Sequence, residues 1–266
     1  MLKLTFLALL SFLFSAPLLA DSEGPNSIPL HTIEGLTVED HKLGKRQYLV
    51  YLETIETGAA KFLSIWNRST KIITVDGEQV VETQQKWSGD NAMFVKTIYS
   101  LNRVDDFSPI YHQVENGGNT VSAYEFDDET VFGAVDVEGN TKADFSMPSV
   151  SRTLNWELDM ETFALLPLEG GKIFSLNFYH PGSKTEPNDY LYEVTGSEVL
   201  TDMDGNEIDC WTLRIDYGGG NYAIFWLQKS DKQMIKMEEK WNDMKRYKVR
   251  LGINSGADFT IEKLQS

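Results

Sequence analysis

The chain of 266 residues holds four histidines, one cysteine and forty Asp plus Glu, and these set the chemistry available to it. No two of His31, His41, His112 and His180 have the spacing of a zinc-binding helix, and no His-Glu-x-x-His occurs. Cys210 stands beside Asp209 with no adjacent cation, which disfavours the thiolate that a nucleophile needs. A Gly-x-Ser-x-Gly nucleophile elbow is absent. Asp202, Asp204, Asn206 and Asp209 gather oxygen ligands as a calcium site does, yet counting from Asp202 puts Gly205 fourth and Leu213 twelfth, where an EF-hand needs Gly sixth and Glu twelfth. Asp204-Gly205-Asn206 therefore reads as a hairpin turn. No helix follows Gly218 to Gly220, so they read as a bend rather than a phosphate cradle. Carboxylate neighbours such as Asp105 with Asp106, or Asp127 to Glu129, are too common here to nominate an acid-base pair. The expectation is a protein that is not an enzyme and carries no cofactor and no metal.

The aromatic and apolar side chains say more. Phe174 and Phe178 share one strand face, Trp211 and Leu213 share another, and Tyr222 and Trp226 lie on a third strand. They serve either as core packing or as the lining of an apolar cavity for a lipid or other hydrophobic small molecule. On the second alternative these six are the candidate ligand-binding residues.

The elements that must position them are mainly strands. Period-2 alternation runs through Gln47 to Glu56, Ala59 to Trp66, Lys71 to Val75, Glu78 to Trp87 and Ala92 to Leu101, with Asp76-Gly77 supplying a type I′ turn. The pattern continues through Pro109 to Glu115, Thr120 to Phe126, Thr130 to Val137 and Thr141 to Phe145. It resumes in Lys172 to Tyr179, Tyr190 to Leu200, Glu207 to Tyr217, Asn221 to Lys229, Met234 to Trp241 and about Met244 to Gly252. Between them, Ser149 to Leu166 shows near-helical spacing and reads as one helix, capped by Ser151 or Asn155 and ended before Pro167. Short loops favour antiparallel neighbours. About a dozen twisted strands should curl into a barrel or half-barrel with one principal helix, a two-sheet sandwich being the alternative.

Met1 to Ala20 reads as a secretory signal, with Lys3 ahead of an apolar run from Leu4 to Phe14 and a small residue, Ala20 or Ala16, for cleavage. Residues 21–32 form a loose lead and 33–266 a single domain. Loss of the signal takes the formal charge from −16 to −17, which repels phosphate backbones and argues against nucleic acid. No later stretch reaches the roughly 20 apolar residues of a spanning helix. The mature protein is expected in the periplasm or secreted, with an envelope protein as a second type of partner.

Four segments carry a resemblance: Ser100-Leu101-Asn102-Arg103-Val104-Asp105-Asp106-Phe107-Ser108-Pro109 with Tyr111; Tyr124-Glu125-Phe126 with Val131-Phe132-Gly133; Leu165-Leu166-Pro167-Leu168-Glu169-Gly170-Gly171; and Tyr192-Glu193-Val194-Thr195-Gly196-Ser197-Glu198 ahead of Ile208-Asp209-Cys210-Trp211. Their order, over about Gln47 to Gly252, resembles a family of secreted bacterial proteins known as domain of unknown function 3108. The resemblance implies a periplasmic half-barrel similar to the carriers of lipoproteins, with a concave apolar face. It implies no activity and no catalytic residues. The chain differs from such carriers in its strong negative charge and in lacking a receptor-docking motif. The function expected from these readings is binding or shuttling of a hydrophobic envelope ligand, such as a lipid or lipoprotein acyl chain, with a non-catalytic structural or interaction module as the alternative.

Overall fold

The computed structural model describes residues 30–32, 36, 38, 43–117, 120–150, 152–202 and 204–252. The signal, the lead before residue 30 and His41 lie outside them. Two meanders make up most of the chain. The first runs through β2 (Gly44–Thr54), β3 (Ala59–Val75), β4 (Glu78–Gly89), β5 (Lys96–Arg103), β6 (Pro109–Asn116), β7 (Thr120–Phe126), β8 (Thr130–Gly133) and β9 (Ser146–Pro148). The second runs through β11 (Ile173–Tyr179), β12 (Asn188–Thr201), β13 (Glu207–Gly218), β14 (Asn221–Gln228), β15 (Met234–Trp241) and β16 (Met244–Leu251). They join because β16 pairs antiparallel with β2, from Met244 opposite Thr54 to Leu251 opposite Gln47. Two short strands, β1 (Leu30–Thr32) and β10 (Leu154–Asn155), pair in parallel with β11 at its edge. The result is one open, mainly antiparallel sheet, as the alternation predicts.

Between the meanders in sequence, a 3₁₀ turn (Trp156–Leu158) leads into α1 (Asp159–Leu165). Asn155 starts the turn, its Oδ1 accepting from the Glu157 N–H at 3.0 Å. The helical segment is shorter than the periodicity predicts. Within the expected span, Leu154–Asn155 are drawn into a strand paired with β11, where sheet pairing overrides local spacing. Likewise β3 is a single strand, with Phe62 absorbing a register shift at φ 55°.

This short element shows how far the sheet curls. Side chains of β3, β4 and β5 (Arg68, Gln85, Lys96) and of β11, β12 and β14 (Phe178, Tyr192, Phe225) all converge on Trp156 to Phe163. From β11 to β5 a flat sheet would extend about 43 Å at ~4.8 Å per strand, against about 15 Å for the turn plus helix. The sheet therefore wraps around α1, as a half-barrel does.

Phe163, fully buried, meets Tyr192 and Phe225 at centroid distances of 4.9 and 4.7 Å. On the other side, the buried Arg68 donates from Nε to Glu161 Oε1 at 3.0 Å and from Nη2 to Oε2 at 2.5 Å. Its Nη1 donates to Gln85 Oε1 at 2.8 Å, and Nη2 also reaches the Glu157 carbonyl at 3.0 Å. Such a satisfied guanidinium is compatible with burial.

Leu36 and Val38 are buried in the main core, and the Val38 N–H donates to Val104 O at 3.0 Å. Side chains tie the β10–β11 edge across the interior to β6 and β5 of the first meander. Asn155 Nδ2 donates to His112 Nδ1 on β6 at 2.9 Å, and Ser100 Oγ lies 2.9 Å from the same nitrogen. Nδ1 is thus an acceptor and the ring is neutral. Burial holds His112 down at about 4, Glu157 opposing and Lys96 assisting. Among the described residues no helix is long and apolar enough to cross a membrane.

Two outcomes follow for stability. Arg68→Ala leaves Glu161 buried without its counter-charge and should cost about 3–5 kcal/mol in urea unfolding, whereas Arg68→Met combined with Glu161→Leu should recover most of the loss. A single variant within 1 kcal/mol of wild type, on the order of an exposed pair, would contradict this account. The His112 contribution is complete above the unfolded-state value near 6.5 and disappears as pH falls to about 4, because the unfolded ring takes a proton that the folded ring refuses. Unfolding curves between pH 6.5 and 4.5 should show a shallower decline for His112→Asn than for wild type; parallel declines would contradict the assignment.

Candidate functional site

The helix does not fill the whole interior. At the end where the β4–β5, β13–β14 and β15–β16 hairpins turn, a cleft of about 640 Å³ opens beside the 3₁₀ turn. Its walls come from both meanders. Trp66 and Trp87 reach it from adjacent strands, stacked at 3.5 Å between centroids. Lys96 Nζ lies 3.7 Å from the Trp87 ring and Lys248 Nζ lies 4.9 Å from the Trp66 ring, so two ammonium groups bracket two indoles. Across from them, Trp156 stacks on His180 at 4.6 Å and meets Tyr190 edge-on at 4.4 Å. Tyr217 and Trp241 complete the aromatic wall.

Acids on the turn and helix hold the lysines in place. Glu157 pairs with Lys96 at 3.4 Å and Asp159 with Lys248 at 3.6 Å, while Glu239 pairs with Arg246 at 2.8 Å. Burial works against the Glu157 charge, but Lys96, His112, His180 and Arg68 outweigh it and hold the carboxyl at about 2. Burial lowers Lys248, with Asp159 opposing, and it lowers His180, with Glu157 opposing. The cleft is amphiphilic, with indole and phenol faces set among paired charges.

Six residues are expected from sequence to bind ligand, and the structure places them in three settings. Phe178 lines the cleft. Phe174 and Leu213 are buried in the main core, and Trp211 packs against that core with Lys229 Nζ 4.5 Å from its ring. Tyr222 and Trp226 alternate with the core residues Ala223, Phe225 and Leu227 on β14, and so point from the opposite face. Tyr222 donates to Glu238 at 2.7 Å and Trp226 to Glu198 at 2.7 Å, with Trp226 packed beside Ile208, Cys210 and Ile235. Sequence reasoning passed over Trp66, Trp87, Trp156, Lys96 and Lys248. The available signal was charge at inward positions, since Arg68 follows Trp66 and Ser64 on the buried face of β3.

The other chemical candidates are engaged elsewhere. The Ser100–His112 pair is sealed in the interior. Burial, with Asp209 adding to it, pushes the Cys210 thiol up to about 11. The Asp202 carboxylate accepts from the Asp204 and Asn206 backbone N–H groups and from the Asn206 side chain at 2.9, 2.8 and 3.0 Å, which closes the turn. Among the described residues no three His, Cys, Asp or Glu are placed to hold a metal ion.

Comparison with known proteins adds the following. No curated protein matches the chain. A DUF1329 family protein from Desulfovibrio piger aligns at 8% identity and TM-score 0.31, covering 78% of this chain and 83% of its own. A candidate lipoprotein from Parabacteroides distasonis aligns at 10% identity and TM-score 0.32, covering 79% and 94%. The family model described as "Protein of unknown function (DUF3108)" matches residues 47–250. That match runs from β2 to β16 and takes in both meanders and the helix between them, so the chain belongs to the DUF3108 family.

Proposed function

We propose that this is a non-catalytic binding protein of the cell envelope, exported to the periplasm by Met1 to Ala20, whose open cleft takes an amphiphilic envelope component. The observation that carries the reading is the cleft itself. Its volume of about 640 Å³ suits a molecule of ligand size. Trp156, Tyr190, Trp241 and Phe178 offer apolar faces to rings or the start of an acyl chain, and the paired charges offer hydrogen bonds to a polar head. A wholly hydrophobic ligand fits less well. An alkyl chain pressed on Lys96, Glu157, Asp159 and Lys248 would strip water from charges and return no hydrogen bonds. The ligand envisaged is therefore one with a substantial polar part, a lipid headgroup region rather than an acyl chain alone.

An interaction module is the second reading, favoured by Ile55, Phe62 and Leu63, which stand exposed around the β2–β3 hairpin. Tryptophan fluorescence separates the two, because Trp66, Trp87, Trp156 and Trp241 line the cleft. Titration with n-dodecyl maltoside below its micellar concentration should give a saturable change. Trp156→Leu should weaken binding about tenfold, the equivalent of ~1.4 kcal/mol, while Trp226→Leu on the opposite face should leave it unchanged. No saturable change, or weakening by Trp226→Leu alone, would move the function to the interaction module.

A further inference from the structure

In a chain of formal charge −16, the cleft lining is reversed in sign, with six Lys or Arg against four Asp or Glu. Most of these cancel within the walls. Lys96, Lys248 and Arg246 are matched by Glu157, Asp159 and Glu239, and Arg68 is engaged by Glu161 behind the lining. What remains belongs to two loops. The ammonium groups of Lys142 and Lys184 have no ion-pair or hydrogen-bond partner among the described residues, and Glu186 is the one lining acid left to oppose them. The matched Arg246 also keeps a buried Nε donor without an acceptor.

The two lysines are carried on backbone that is fixed. Asn140 anchors the first loop: its Nδ2 donates to the carbonyls of Ala123 and Ala134 at 2.9 and 2.8 Å, and its Oδ1 accepts from the Lys142 N–H at 2.9 Å. In the second loop, Tyr179 Oη donates to Ser183 O at 2.7 Å and Thr185 N donates to Ser183 Oγ at 3.0 Å. Both loops seat on Tyr124. Its ring meets Phe145 edge-on at 5.4 Å, and its hydroxyl lies where any side chain on Gly182, at φ +84°, would sit. The loops are held side by side, and a pair of lysines on positioned backbone loses less freedom on capturing an anion than a pair on loose chain.

We propose that the rim of the cleft is an anion subsite in which Lys142 and Lys184 hold the phosphate or carboxylate of an amphiphile whose remainder lies against the aromatic wall. This rests on the binding reading above and names the head group that the ligand carries. An anion there would meet two ammonium donors at a place where the surrounding protein field is otherwise repulsive, which makes the site selective as well as attractive.

The test compares dodecyl phosphate, dodecanoate and n-dodecyl maltoside as probes, each below its micellar concentration, by tryptophan fluorescence at low and at physiological salt. The expected result is at least tenfold tighter binding of dodecyl phosphate than of the maltoside, narrowing as salt rises. In the Lys142→Gln, Lys184→Gln double variant the ratio of the two affinities should fall close to one, and in Glu186→Gln it should rise. Dodecanoate matching dodecyl phosphate would identify a carboxylate-tolerant subsite, and dodecanoate matching the maltoside a phosphate-selective one; both support the assignment. Equal binding of all three probes by wild type, or a ratio unmoved in the double variant, would overturn the anion subsite and leave the binding reading standing. Binding of none of the three would overturn both.

Discussion

The buried Arg68 guanidinium is the constraint on which the arrangement of this molecule turns. A charge in that position is tolerable only if its donors are met, and the groups that meet them come from different parts of the fold: Gln85 from the neighbouring strand, the Glu157 carbonyl from the 3₁₀ turn and the Glu161 carboxylate from α1. The helix thereby has one position against the first meander. Its opposite side is set by Phe163 among Tyr192 and Phe225 of the second. Asp159 adds a link to β16 through Lys248. A helix of seven residues would not be stable alone. Here it gains its stability from tertiary contacts and in return fixes how tightly the two halves of the sheet curl.

The same charges decide what kind of cleft is left. Had α1 been apolar throughout, the space beside it would be a greasy slot. Because Glu157 and Asp159 face inward, they draw Lys96 and Lys248 over the indoles of Trp87 and Trp66, and the floor becomes a layer of matched charges on aromatic faces. The residues that hold the helix are also residues that line the cleft, and the polar character of the cleft is a by-product of how the helix is held.

Much of the fold was legible in the sequence. Alternation marks the strands, and Asp76-Gly77 takes the two positive φ values, 51° and 88°, that its turn requires. Asn155 caps the helical segment and Pro167 lies just beyond its end, as capping chemistry demands. The face assignments were less accessible. Strand β14 is apolar on both sides, since Tyr222, Ile224 and Trp226 alternate with Ala223, Phe225 and Leu227, and hydrophobicity alone cannot say which set meets the core. The cleft was harder still, because its residues come from β3, β5, the 3₁₀ turn and β16, which only the seam brings together. One acidic triplet and one basic one held the missing information: Glu157, Asp159 and Glu161 on the helical segment, and Arg246, Lys248 and Arg250 at alternate positions of β16. Inward-facing cations on a strand signal partners elsewhere in the core.

The seam between β16 and β2 also bears on how the molecule is made. Every other long strand pairs with a neighbour in sequence, so either meander can assemble from local hairpins. The seam instead joins Gln47 to Leu251, nearly the two ends of the described chain. Until the last strand has been synthesised, β2 has an unpaired edge and each half-sheet displays an inner face meant for the other. That interval exposes the chain to misassembly and aggregation. A protein with this connectivity keeps an open strand edge from the emergence of β2 to the docking of β16, and removal of β16 should leave that edge unpaired.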